Sequence, residues 1–195
     1  MHDRVHHAEV AWPERLQCLS IDTPTGEVTL MNTHIPPGAS NGWVKVEMLE
    51  ACHREASLGS KPLILGGDFN APQEEFDGGV TTWAQRKRVD ESWHLIKSRG
   101  QRWNEAERQF FLPPWVDAYR TLHGLDDSFS WQLINRGRYF PRRFDHFFLQ
   151  GDWVVKSALY HRSAVDHNLS DHVPLAIDVN QGDMGAKLDI NVLKK

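Results

Sequence analysis

The stretch Pro62-Leu63-Ile64-Leu65-Gly66-Gly67-Asp68-Phe69-Asn70-Ala71-Pro72 constrains the fold more than any other. Leu63 to Leu65 form an unbroken apolar run, too short for a helix and bounded by Pro62 and two glycines. That pattern reads as a buried strand covered on both faces. The run opens at Gly66-Gly67 and delivers Asp68 and Asn70 two residues apart, and in extended chain such residues point the same way. A carboxylate and an amide then leave the strand together at its carboxyl end, where sheet enzymes gather ligand and catalytic groups. Gly, Asp, Asn and Pro also suit a plain turn, so the stretch alone leaves both readings open.

The flanking sequence supplies a sheet. Leu16–Asp22 and Glu27–Thr33 surround Thr23-Pro24-Thr25-Gly26, which is turn chemistry, so this is a β-hairpin. Its second strand ends at Asn32-Thr33-His34 and is stopped by Pro36-Pro37-Gly38. A helix capped by Ser40 or Asn41 runs from near Trp43 to Gly59, with Val46, Leu49, His53 and Ala56 on its inner face and Lys45, Glu47, Glu50 and Arg54 outside. Strand, covering helix and strand make the parallel crossover unit.

Beyond Pro72 the pattern weakens. Gln73–Gly79 reads as loop. A helix capped at Thr81 or Thr82 runs through Lys87, and Asp90–Ser98 continues it to Gly100. Pro113-Pro114 breaks the chain, and Trp115–Leu122 is a short helix stopped at His123-Gly124. Ser128–Leu133, Phe144–Gln150, Trp153–Arg162 and Val173–Val179 are strands. Asn135–Arg143 is a loop carrying Arg136, Arg138, Arg142 and Arg143 around Tyr139 and Phe140, and Gln181 onward is a tail.

With 195 residues, 40% of them hydrophobic, the chain suits one globular domain over positions 1–180, followed by the tail 181–195. The net charge of -4 supplies no global positive field, so any nucleic-acid binding has to be local. Cys18 and Cys52 lack metal spacing and make no disulfide framework, which favours a reducing, cytoplasmic setting. No apolar run reaches membrane-spanning length.

His34, Asp68 with Asn70, Asp145, and Asp171 with His172 each sit at the edge of a strongly apolar strand. Asp145 lies on the face that continues through Phe147 and Leu149, so its carboxylate needs a charged or hydrogen-bonded partner. A histidine such as His172 would serve.

Gly67-Asp68-Phe69-Asn70, Arg143-Phe144-Asp145-His146 and Ser170-Asp171-His172 together resemble the late motifs of the endonuclease/exonuclease/phosphatase superfamily, whose fold is deoxyribonuclease-I-like. Asn32-Thr33-His34, Trp115-Val116-Asp117-Ala118-Tyr119-Arg120 and Phe129-Ser130-Trp131 match further segments, in the family's order. The resemblance implies an α/β (α+β) fold, a four-layered α/β/β/α sandwich of two packed mixed sheets. It implies divalent-metal-dependent hydrolysis of phosphate esters, first of all as a phosphodiesterase or nuclease using in-line attack of water.

By the same resemblance, Asp68 would orient and deprotonate the water, and Asn70 would fix that water or a phosphate oxygen. His172 would donate to a non-bridging oxygen, with Asp145 holding its ring, and His34 would contact the phosphate. Asp171 would bind Mg²⁺ or Mn²⁺, and Asp68 and Asn70, with His172, would form a second metal site. Independently of the resemblance, the Arg-rich loop with Arg136, Arg142 and Arg143, and Tyr139 and Phe140 interleaved, could grip a phosphate backbone and stack a base; the alternative is that these arginines pair with local acids such as Asp126 and Asp127.

The resemblance begins near Leu16. The family's earlier Asn-bearing strand and Glu-bearing metal-ligand segment have no counterpart, and Glu9 and Glu14 stand in another context. An N-terminally truncated sandwich leaves a sheet edge and an apolar face open, which a homodimer would cover. The favoured account is a start inside a longer reading frame. A short dimerising form and an inactive binding module are the alternatives, and small or lipid phosphate esters are the alternative substrates.

Overall fold

The computed structural model of the chain describes residues 3–6 (backbone only), 10–59 and 62–182. In chain order these form β1 (Asp3–His6), β2 (Leu16–Thr23), β3 (Gly26–His34), α1 (Gly38–Asn41), α2 (Trp43–Leu58), β4 (Leu63–Asp68), β5 (Glu74–Phe76), β6 (Gly79–Thr81), β7 (Gln85–Lys87) and β8 (Trp93–Leu95). They continue as α3 (Gly100–Arg108), β9 (Val116–Asp117), α4 (Ala118–His123), β10 (Trp131–Asn135), β11 (Arg138–Arg142), β12 (Asp145–Gln150), β13 (Trp153–Tyr160), α5 (Ser163–Asp166) and β14 (Leu175–Gln181).

The main sheet has the order β1-β2-β3-β4-β12-β9. β2 and β3 form the expected hairpin, and β3 runs parallel to β4 with α2 as the crossover. β12 then pairs antiparallel with β4. The central strands are apolar on both faces, as their unbroken runs require. Leu63, Leu65 and Phe148 face one core with Val46, Leu49 and Cys52 of α2, Trp103 and Ala106 of α3, and Phe110. Ile64, Phe147 and Leu149 face a second core with Val155 and Ala158 of β13, Ile177 and Val179 of β14, and Ala118 and Tyr119 of α4. The fold is therefore a mixed α/β sandwich in which two sheets pack against each other, with helices covering the main sheet's other face.

Gly67 shows how tightly β4 is built. Its φ is +140°, and a Cβ there would be driven into the Thr33 carbonyl of β3. Only glycine allows the strand to turn its end toward His34 at that distance.

Several sequence expectations are corrected. The helix expected from Thr81 to Gly100 is a β7–β8 hairpin. Thr82 does carry the bonds of a helix start, its N–H donating to Gln85 Oε1 at 3.0 Å and its Oγ1 accepting from Ala84 N–H at 3.3 Å, above a turn bond from Gln85 N–H to Thr82 O at 2.9 Å. They close one turn only, because the chain then pairs Gln85–Lys87 with Trp93–Leu95. Gln73–Gly79 is not plain loop, since Asp77-Gly78 is the two-residue turn of a β5–β6 hairpin. Asn135–Arg143 is likewise a hairpin arm, with Arg136 and Gly137 at positive φ making the turn. α2 is capped at Gly42 rather than by the side chain of Asn41. Lys45, expected on its outer face, is fully buried. β1 pairs with β2 at one edge of the main sheet. The expected tail lies outside the described residues from position 183 on.

Candidate active site

Strand register places three of the expected groups side by side. His34 pairs with Asp68 across the parallel β3–β4 ladder, and Asp145 pairs with Asp68 across the antiparallel β12–β4 ladder. Residues directly opposite each other share a face and approach within about 5 Å. His34 Nε2 lies 3.9 Å from Asp68 Oδ2.

The end of β4 sorts its side chains by alternation. Phe69 goes wholly into the first core, against Phe148 and Phe110 at ring-centroid distances of 5.0 and 5.3 Å. Asp68 and Asn70 remain on the site side. Asn70 takes φ +48°, a left-handed conformation that Asn adopts more readily than most residues. Its N–H donates to Asp68 Oδ1 at 2.8 Å, and its side-chain amide donates to Asp68 Oδ2 at 3.0 Å and to Ile35 O at 2.9 Å. Burial, followed by the neighbouring Asp145 carboxylate, holds the Asp68 carboxyl above its ordinary value.

Asp145 and His172 are joined, as the sequence required of a partly buried carboxylate. His172 Nδ1–H donates to Asp145 Oδ2 at 2.7 Å. That hydrogen bond is the main cause of a His172 pKa above the usual imidazole value, and burial opposes it. Buried Ser130 fixes both partners. Its Oγ accepts from the N–H groups of Phe144 and Asp145 at 2.8 and 2.9 Å, and its carbonyl accepts from Val173 N–H at 2.7 Å. Tyr160 Oη donates to Asp145 O at 2.7 Å. The sequence offered Ser130 only as the middle of Phe129-Ser130-Trp131; nothing local marks a serine as a two-donor acceptor.

Asn70 and His172 open onto a cleft of about 600 Å³ walled by Trp83, Trp131, Phe140 and Arg142. The cross-strand pairs Trp131–Arg142 and Leu133–Phe140 put these residues on one face of the β10–β11 hairpin. Arg136 is exposed at the hairpin turn. Arg143 belongs elsewhere. It is 3% exposed, and its guanidinium is paired with Asp117 and, at 3.2 Å, with Glu75. Asp117 also accepts from Arg120 N–H at the start of α4 and lies 3.0 Å from His146 Nδ1. Arg143 is thus a structural cation in the interior, and the expected substrate contact is withdrawn for it.

Asp171 is exposed beside His172. Both Asp68 oxygens are engaged by Asn70, and Asp145 Oδ2 by His172. Among the described residues no group of three or more His, Cys, Asp or Glu side chains is arranged to hold a metal ion. The expected Mg²⁺ or Mn²⁺ ligands Asp171, Asp68 and Asn70 therefore do not make a fitting donor set by themselves. Among the described residues no helix is long and apolar enough to cross a membrane.

No protein-family model and no curated protein sequence matches the chain. Solved structures do. D. rerio TDP2 complexed with single-strand DNA product is similar with a TM-score of 0.61 at 13% identity, over 93% of this chain and 68% of that one. An endonuclease/exonuclease/phosphatase from Beutenbergia cavernae gives 0.56 at 20% identity, over 93% of this chain and 45% of that one. The 3′ phosphatase NExo from Neisseria, bound to product DNA hairpin, gives 0.57 at 18% identity, over 90% and 70%. The chain thus spans between about half and about two thirds of the length of these structures. Its two packed sheets, with the row of polar groups at one end, have the endonuclease/exonuclease/phosphatase fold.

Proposed function

We propose that the protein hydrolyses phosphate esters at the sheet end where His34, Asp68, Asn70, Asp145 and His172 converge, with nucleic-acid phosphodiesters as the first substrate class. The convergence itself carries the reading. Side chains from β3, β4, β12 and the loop before β14 meet at one place, around a carboxylate–imidazole pair.

Each group has a chemical task. Asp68, with a pKa raised by burial, takes a proton from a water held against it and Asn70. The water oxygen attacks phosphorus, the bond from phosphorus to the ester oxygen breaks, and the departing oxygen takes a proton from solvent. His172, whose charged form the Asp145 hydrogen bond favours, donates through its other ring nitrogen to a non-bridging oxygen as charge builds there. His34 contacts the phosphate. Arg142, in the cleft, and Arg136, at the hairpin turn, neutralise the flanking backbone, with Phe140 as a stacking surface; Tyr139, paired with Ile134, lies on the hairpin's other face, away from the cleft. The similar structures that hold DNA product support this choice of substrate.

The metal requirement that the resemblance carries has no complete donor set among the described residues, and no step above depends on it. That same observation favours a second reading, a module that binds phosphate esters without turning them over. The homodimer suggested by an open sheet is read by sedimentation.

The test is a panel of DNA, RNA and small phosphate esters, with and without Mg²⁺ or Mn²⁺, against wild type, Asp68→Asn and His172→Ala. Turnover that falls about 10²–10⁴-fold in both variants supports the reading. Binding without turnover supports the second, and equal rates in all three proteins overturn the first.

A further inference from the structure

The site described above includes the side chain of Asn70 but leaves its backbone carbonyl unexplained, and that carbonyl is where a fully buried lysine ends. Lys45 is 0% exposed. Its Nζ donates to Asn70 O at 2.7 Å and lies 2.7 Å from Glu107 Oε1, and Trp83 Nε1–H donates to the same Asn70 oxygen at 3.0 Å. Glu107, also 0% exposed, accepts in addition from Trp103 Nε1–H at 2.6 Å and from Trp83 N–H at 2.8 Å. The network ties α2, α3 and the segment before β7 to a single peptide group at the end of β4.

We infer that Lys45 and Trp83 are positioning residues that clamp the Asn70 carbonyl and so fix Asn70 and Asp68 for the proposed reaction. The inference rests on the reading in which those two residues hold the attacking water. A buried ion pair is a poor way to gain stability, because apolar residues of similar volume serve equally well or better. What apolar residues cannot supply is direction. Two donors converge on one carbonyl oxygen and fill its two lone pairs. They set the peptide plane that follows Asn70, whose φ of +48° turns its N–H and side-chain amide onto the two oxygens of Asp68. Without the clamp the Asn70 peptide is free to rotate, and the amide leaves Asp68 and Ile35.

The test removes both charges together, so that no lone carboxylate stays buried. Lys45→Met/Glu107→Gln loses the donor to Asn70, whereas Lys45→Gln/Glu107→Gln keeps one at slightly shorter reach. Both are checked for fold by circular dichroism and melting. The expected result is a kcat about 100-fold lower for the Met variant with KM nearly unchanged, and partial recovery in the Gln variant. In parallel, hydrogen exchange of the Asn70 side-chain amide, followed by NMR, is expected to be slow in wild type and fast in the Met variant. Trp83→Phe removes the other donor while leaving the Lys45–Glu107 pair in place, and it decides the matter if the charge-free variants do not fold. Unchanged kcat and unchanged Asn70 exchange in a folded variant overturn the clamp. If wild type turns over no ester, the proposed function fails on its own, and the exchange measurement still decides the clamp.

Discussion

His172 reaches back from the loop before β14 to donate its Nδ1–H to Asp145 Oδ2 at 2.7 Å, joining residues 27 positions apart. The bond fixes the ring's orientation and favours its charged form, and Ser130 ties the two backbones together beneath it. The proposed chemistry is built on that pair and on Asp68, which faces Asp145 across the β4–β12 ladder.

The pH dependence of turnover follows from these two groups. Asp68 must be ionised and His172 protonated, and both pKa values lie above the ordinary ones of about 3.9 and 6.5. Activity therefore rises as pH climbs through the raised Asp68 value and falls as it passes the raised His172 value. Asp145→Asn removes the main cause of the His172 shift and a like charge beside Asp68, so both limbs move to lower pH. A kcat/KM profile of the two proteins measures this, and a basic limb that stays in place refutes it.

Ser130→Ala leaves two buried N–H groups, those of Phe144 and Asp145, without their acceptor. At about 1–3 kcal/mol for each unsatisfied group, the loss in urea-unfolding stability is about 2–6 kcal/mol. Activity falls further than the folded fraction does, because the Asp145–His172 pair loosens with it.

Gly67→Ala combines a positive φ with a Cβ directed into the Thr33 carbonyl. The expected destabilisation is about 3 kcal/mol or more, seen as a lower melting temperature or loss of soluble protein. A variant that melts with wild type contradicts the β3–β4 packing described here.

Acid stability reports on Asp117. Burial works against its ionisation, but Arg143 and His146 outweigh that and hold the carboxyl far below its ordinary value. A depressed folded pKa stabilises the protein fully above the unfolded value of about 3.9, and the contribution is lost as pH falls below it. Urea titrations at pH 7 and pH 3 show a loss of about 1 kcal/mol from this group in wild type that Asp117→Asn does not share, since each pH unit below the unfolded value is worth about 1.4 kcal/mol. At neutral pH that variant itself costs about 3 kcal/mol, because it leaves buried Arg143 with Glu75 as its remaining carboxylate.

Much of this was legible in the residues. The apolar runs of β4 and β12, the turn at Thr23–Gly26 and the crossover helix follow from period and punctuation, and they place His34, Asp68 and Asp145 at strand ends. The need of Asp145 for a partner also followed from its face. Other features were not local enough to read. Thr82–Gln85 carries a helix-start signal that the β7–β8 pairing overrides. Lys45 looks solvent-facing in sequence because its partner, Glu107, comes from a helix 62 positions away whose start was not marked. Arg143 sits in a basic run with three other arginines, and only the fold shows that Asp117 and Glu75 claim it.

The central claim is that water activated at Asp68 attacks phosphorus. The most direct measurement is hydrolysis of a single-stranded oligonucleotide in ¹⁸O-water by wild type and by Asp68→Asn under identical conditions. The account predicts one ¹⁸O in the phosphate of the wild-type product and almost no product from the variant. Label in the released hydroxyl, or equal product from both proteins, would contradict it.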